Sequence, residues 1–145
     1  MPVTTSEVRI GHERVFLALS DEHNGVSTRS SRGSLESVHA LLALPHLRAE
    51  TQVHLADAAL ERDLASFFGG LAEDWRGWEG ARAWATYEGG LALACMHDRL
   101  GHISVSVELR EYSGQGWLVR GDVPVDAGQL DPLARDLAAF VGGHS

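Results

Sequence analysis

An α+β fold, with an antiparallel β-sheet of about six to seven strands and one central and one C-terminal helix packed on one face, is predicted by three features of this 145-residue chain. Apolar residues alternate with polar ones at a period of two in both halves, as half-covered antiparallel strands require. Two stretches, after Asp57 and after Asp126, switch to helical spacing. The order that results is strands, helix, strands, helix. The length is that of a single domain, and residues 1–145 are expected to form one.

Val8 and Ile10 alternate with charged residues and predict a short first strand. Val15 to Ser20 predicts a second, closed by the turn-rich DEHNG at Asp21 to Gly25. VSTRSSRGS, residues 26–34, is small and polar and is expected to be a flexible loop carrying Arg29 and Arg32. Leu35 to Leu55 predicts a hairpin around Pro45-His46. Setting Leu44 opposite Leu47 puts Leu42 by Ala49, Ala40 by Thr51 and Val38 by Val53 on one face. His39, Arg48, Glu50, Gln52 and His54 fall on the other; a one-residue slip would mix the two sets. The proline argues for a longer loop over a tight primed turn.

Asp57 to Trp75 predicts a helix with Asp57 as N-cap. Leu60, Leu64, Phe67, Phe68, Leu71 and Trp75 make its apolar stripe. Gly69 and Gly70 inside it point to close backbone approach to the sheet or to a kink, and Gly77 and Gly80 end it. Leu91–His97 and His102–Arg110 predict a second hairpin with a three-residue loop, Arg99-Leu100-Gly101, and Gly101 in a left-handed bulge. Its register pairs Leu91, Leu93, Cys95 and His97 with Leu109, Val107, Val105 and Ile103. The opposite face, with Ala92, Ala94, Met96, Ser104, Ser106 and Glu108, reads as mostly polar. Trp117 to Val125 adds a strand. The last helix starts either at Asp126 with Gln129 as capping partner or at Asp131 with Pro132 in first position, and it ends at Gly142-Gly143.

Composition excludes more than it assigns. All twelve basic residues are arginine, which removes the P-loop lysine and Schiff-base catalysis. Cys95 is the single cysteine, so no intramolecular disulfide or cysteine zinc ribbon can form. The net charge of −8 opposes direct nucleic-acid binding and favours a basic protein partner. No apolar run approaches the ~18 residues of a membrane span. The N-terminal MPVTTSEVRI has no basic segment followed by an apolar one, so a cytoplasmic location is expected.

Nucleophile, zinc-peptidase and dinucleotide motifs are absent, and the chain is not expected to be an enzyme. Paired carboxylates at Glu73-Asp74 and Glu79 read as a solvated helix end. Cys95, His97 and His102 have the right types for zinc. Their register, however, sends Cys95 and His97 to the apolar face and His102, with Asp98, to the other. No metal or other cofactor is expected there, and Asp98 with His102 is read as a turn lock. His39 and His54 are read as surface residues of the first hairpin.

Three of the four tryptophans lie in EDWRGWEGARAW, Glu73–Trp84. Trp75 continues the helix stripe and Trp84 starts a strand; both are assigned to the core. Trp78, in the glycine-bounded RGWEG, stays open between a core plug and an interface anchor, with Arg76, Glu79 and Arg82 beside it as binding candidates. FFGGLAEDWRGWEGARAW followed by YEGGLALACMHDRLGHISVSVELR resembles the family called domain of unknown function 6228. The likeness is carried by Leu71, Ala72, Asp74, Trp75, Arg76, Gly77, Trp78, Trp84, His97, Asp98, Gly101 and His102, with Arg99 standing where that family has glycine. The layout is more distantly similar to WapI-like immunity proteins. That resemblance implies a small cytoplasmic protein that neutralises a toxin, often a basic nuclease, by direct binding. A small-ligand or carbohydrate-binding domain using Trp75–Trp84 is the alternative, and an uncharacterised enzyme the third.

Overall fold

The computed structural model describes residues 7–29, 35–54, 58–86, 90–111 and 116–142. They form β1 (Glu7–Gly11), β2 (Phe16–Ser20), β3 (Glu22–His23), β4 (Val26–Ser27), β5 (Ser37–Leu44), β6 (Leu47–His54), α1 (Ala58–Glu73), β7 (Ala81–Ala85), β8 (Leu91–His97), β9 (His102–Glu111), β10 (Trp117–Asp126) and α2 (Leu130–Gly142). The fold is α+β and antiparallel throughout, and its strands divide between two four-stranded sheets, β1-β2-β5-β6 and β10-β9-β8-β7, with β3-β4 a separate ribbon. Each sheet turns an apolar face to the other, and stacking the two buries both at once, while Phe16, Ala18 and Ala43 make a second, smaller buried cluster on the opposite face of β2 and β5. Leu44 of β5 lies against Gly121 of β10, Val123 of β10 lies against Gly11 of β1, and Val53 of β6 lies by Gly90. One continuous core results, to which Phe68 and Leu71 of α1 and Leu137 and Phe140 of α2 contribute.

Both hairpin registers are those the alternation predicts, Leu44↔Leu47 to Val38↔Val53 in β5–β6 and Leu91↔Leu109 to His97↔Ile103 in β8–β9. The first turn is tighter than expected. Pro45-His46 alone links Leu44 to Leu47, with His46 at φ 64°. Proline followed by a residue of positive φ is the pattern of a type II turn, which needs no primed geometry from proline.

Residues 26–34 are not simply a loop. Val26–Ser27 pairs back on Glu22–His23 across Asn24-Gly25, and Arg29 bridges to Leu35. The Arg29 side chain is largely buried. Its Nε donates to Asp21 Oδ2 at 2.8 Å and its Nη2 to the Phe140 carbonyl near the end of α2. Carbonyls of the last helical turn lack intrahelical donors, so a buried cation there is satisfied by the helix it caps. Arg32 lies outside the described residues.

The expected cap of α1, Asp57, lies outside the described residues, as does the side chain of Leu60. Leu64, Phe68 and Leu71 are buried as the stripe requires. Gly69 and Gly70 do not mark close approach: a Cβ built at either meets nothing within 4 Å. Gly69→Ala and Gly70→Ala are each expected to stabilise the protein by about 1 kcal/mol, from helix propensity alone, measured as a rise in urea midpoint at unchanged slope. At the other end of the chain, a 3₁₀ turn, Ala127–Gln129, starts at Asp126, whose N–H donates to Gln129 Oε1 at 2.9 Å. It runs straight into α2, so the Asp126 start is the observed one. Pro132 then sits in the first turn, where its missing N–H costs nothing.

Candidate functional site

The tryptophan segment is built around the early end of α1. The helix stops at Glu73. Asp74 N donates to the Gly70 and Leu71 carbonyls, and Gly77 N to the Asp74 carbonyl at 2.9 Å. The chain therefore turns before Trp75 can continue the stripe. Trp75 is 50 % exposed and Trp78 only 5 %, which reverses the core assignment of Trp75 and removes Trp78 as an interface anchor or sugar platform. The Trp78 Nε1–H donates to the Cys95 carbonyl at 3.0 Å. Arg82 lies over its ring at 5.1 Å and His97 meets it edge-on at 5.0 Å. Arg82 also pairs with Asp74 at 2.8 Å, tying the helix end to β7. Trp84 is half-buried on the core side of β7.

Of the predicted binding residues, Trp78 and Arg82 come together inside the fold. Arg76 instead covers the exposed Trp75 ring at 5.2 Å, and Glu79, almost fully exposed, reaches Arg99 at 3.5 Å. The loop is pinned from the second hairpin. His97 Nδ1 accepts from Arg99 N–H at 2.7 Å, so its Nε2 carries the proton and donates to the Trp75 carbonyl at 2.7 Å. The turn itself is locked by Asp98, whose Oδ1 accepts from the Leu100 and His102 N–H groups and whose Oδ2 lies 2.9 Å from His102 Nδ1. Those backbone bonds, with Leu100 first, hold the Asp98 carboxyl below its ordinary value. Gly101 has φ 93°, as the bulge requires, and Arg99 has φ 66°. A glycine at 99 would take that conformation freely.

Cys95, His97 and His102 do not converge. Cys95 is fully buried, and burial pushes its thiol up to about 12, which leaves it no thiolate for ligation or attack at neutral pH. His97 is committed to the Trp75 carbonyl and His102 to Asp98. His39 does not lie with His54 as its nearest imidazole; it stacks on His23.

A surface the alternation did not flag lies alongside. Among the described residues no helix covers the outer face of the β7–β10 sheet; Ala81, Ala83, Ala85 and Met96 on it are exposed, and Ala92 and Ala94 are half-exposed. A shallow hollow of about 550 Å³ crosses it from Ala83 to the Glu108–Arg120 pair. Strand β7 is the outer strand of this sheet, with no hydrogen-bonded neighbour beyond it among the described residues. Reading alternate alanines and serines as a polar face hid it, because alanine is small enough to pass as neutral in the pattern.

Residues 10–144 match the model of a family of unknown function, DUF6228, and the chain belongs to that family. No curated protein matches it.

Proposed function

We propose that this member of the DUF6228 family works by binding another protein, with no chemistry of its own. The observation that supports this most directly is the small-residue outer face of the β7–β10 sheet, which no other described element covers. Flat alanine and serine rows bounded by an exposed Met96 and an unpaired edge strand are how one protein presents a sheet to another. The exposed Trp75–Arg76 pair, held by His97 on the loop that leads into β7, supplies the residue types that dominate binding energy. A charge of −8 steers toward a basic partner. A toxin with a basic surface fits that description, and neutralising one by occupying its functional surface is the specific role we favour.

The test is affinity capture of the products of adjacent genes, followed by titration of Trp75→Ala and Met96→Arg. Each is expected to weaken the complex about tenfold or more while the thermal melt of the free protein stays close to wild type. Undiminished binding by both variants would remove this surface from the reading; turnover of a small molecule with no partner captured would remove the reading itself. A second reading is small-ligand binding in the same hollow, whose floor is alanine and whose far end is the Glu108–Arg120 pair. It expects saturable binding of a small polar ligand, read by calorimetry, that Ala94→Arg abolishes.

A further inference from the structure

We propose that His23, His39 and Glu50 form a binding site for one divalent transition metal of the zinc class. One imidazole nitrogen from each histidine and one Glu50 oxygen lie within 4.8 Å of one another. The three come from three different strands. His39 is on β5, in register between Ser20 of β2 and Gln52 of β6. Glu50 is on β6 opposite Leu41, which makes it the diagonal neighbour of His39 on the same outer face, 3.8 Å from its Nε2. His23 arrives from the β3–β4 ribbon, whose turn residues Asn24 and Gly25 both have positive φ, 53° and 80°. The ribbon is anchored independently, by Ser20 Oγ to Glu22 and by the Arg29–Asp21 pair. Its docking onto β5 is what brings His23 to His39.

Two imidazoles and a carboxylate are a three-ligand set that leaves a fourth position for water, and they suit borderline divalent ions better than calcium or magnesium. Burial, and then the neighbouring His23, push His39 below its ordinary value, against the opposing pull of Glu50. The rings now stack with centroids 3.8 Å apart and planes within 7°. In-plane lone pairs of parallel rings run side by side, so an ion needs one ring to turn. His39 is held in mid-sheet, whereas His23 is exposed at the ribbon tip, its ring nitrogen 3.1 Å from Asn24 Nδ2. His23 is the ligand that swings. Metal binding then fastens the ribbon to the sheet, on a face opposite the core and apart from the Trp75 loop.

The experiment uses chelator-treated full-length protein titrated with Co(II), read by its visible ligand-field absorption, and with Zn(II) by calorimetry. One equivalent is expected, displaced by Zn(II). His39→Ala and Glu50→Gln should each lower affinity at least about tenfold, while His54→Ala and His102→Ala leave it unchanged. Circular dichroism of each variant guards against loss of fold. A wild-type protein that takes up no Co(II) at millimolar concentration overturns the proposal. So does one-equivalent binding that survives both His39→Ala and Glu50→Gln.

Discussion

Trp78→Ala is expected to cost about 3–5 kcal/mol, and Trp75→Ala less than about 1, although only Arg76 and Gly77 separate them. Trp78 is enclosed, with Arg82 and His97 against its ring and its N–H on the Cys95 carbonyl. Truncation leaves a cavity beside β8, removes the bond to Cys95 and releases Arg82 and His97, both of which brace the loop. Trp78→Phe should fall between, since it keeps most of the ring packing and loses the hydrogen bond, worth about 1 kcal/mol net. Urea denaturation followed by circular dichroism separates the three variants. Equal midpoints for Trp75→Ala and Trp78→Ala would refute the burial assignment.

The tryptophans show where sequence periodicity stops being informative. Spacing placed Trp75 on the stripe because it falls at i+15 from Leu60, but a stripe carries no information about where the helix ends. The end is set by Asp74, whose N–H reaches both the Gly70 and Leu71 carbonyls as the last turn tightens. Hairpin registers were legible for the opposite reason: in β5–β6 and β8–β9 a slip of one residue would exchange the apolar and polar sets, so the pattern contains its own check. Alternation says that a strand is half-buried without saying which sheet it joins, and so the division into two sheets was invisible. Arg29 was read from its neighbours, all small and polar, whereas its position is decided by the carbonyl of Phe140 far along the chain. His23 sat inside a segment read as a turn. Its Asn24-Gly25 dipeptide is the strongest short hairpin signal there is, and it could have revealed the ribbon.

Backbone meets backbone closely where β1, β2 and β10 come together, and Gly11→Ala is expected to destabilise the protein by about 3–5 kcal/mol. Gly11 has φ 123°, and a Cβ there would stand 2.4 Å from the Val15 carbonyl oxygen and 2.5 Å from Val123 Cγ1. The first obstacle is backbone of its own hairpin, closed by the His12 N–H to Val15 bond, so it cannot yield without opening the turn. The second is a fully buried residue of the opposing sheet. Gly121 makes the contrast that tests this account. A Cβ there would stand 2.3 Å from Leu44 Cδ1, yet everything in its way is the end of one half-buried leucine side chain that can rotate. Gly121→Ala should therefore cost about 1–3 kcal/mol, and Leu44→Ala in the same chain should recover part of that loss, whereas Leu44→Ala should do nothing for Gly11→Ala. A double-mutant cycle measured in urea reads the coupling directly. If Gly121→Ala and Leu44→Ala were simply additive, the two sheets would not be meeting at this point, and the single stacked core would need another explanation.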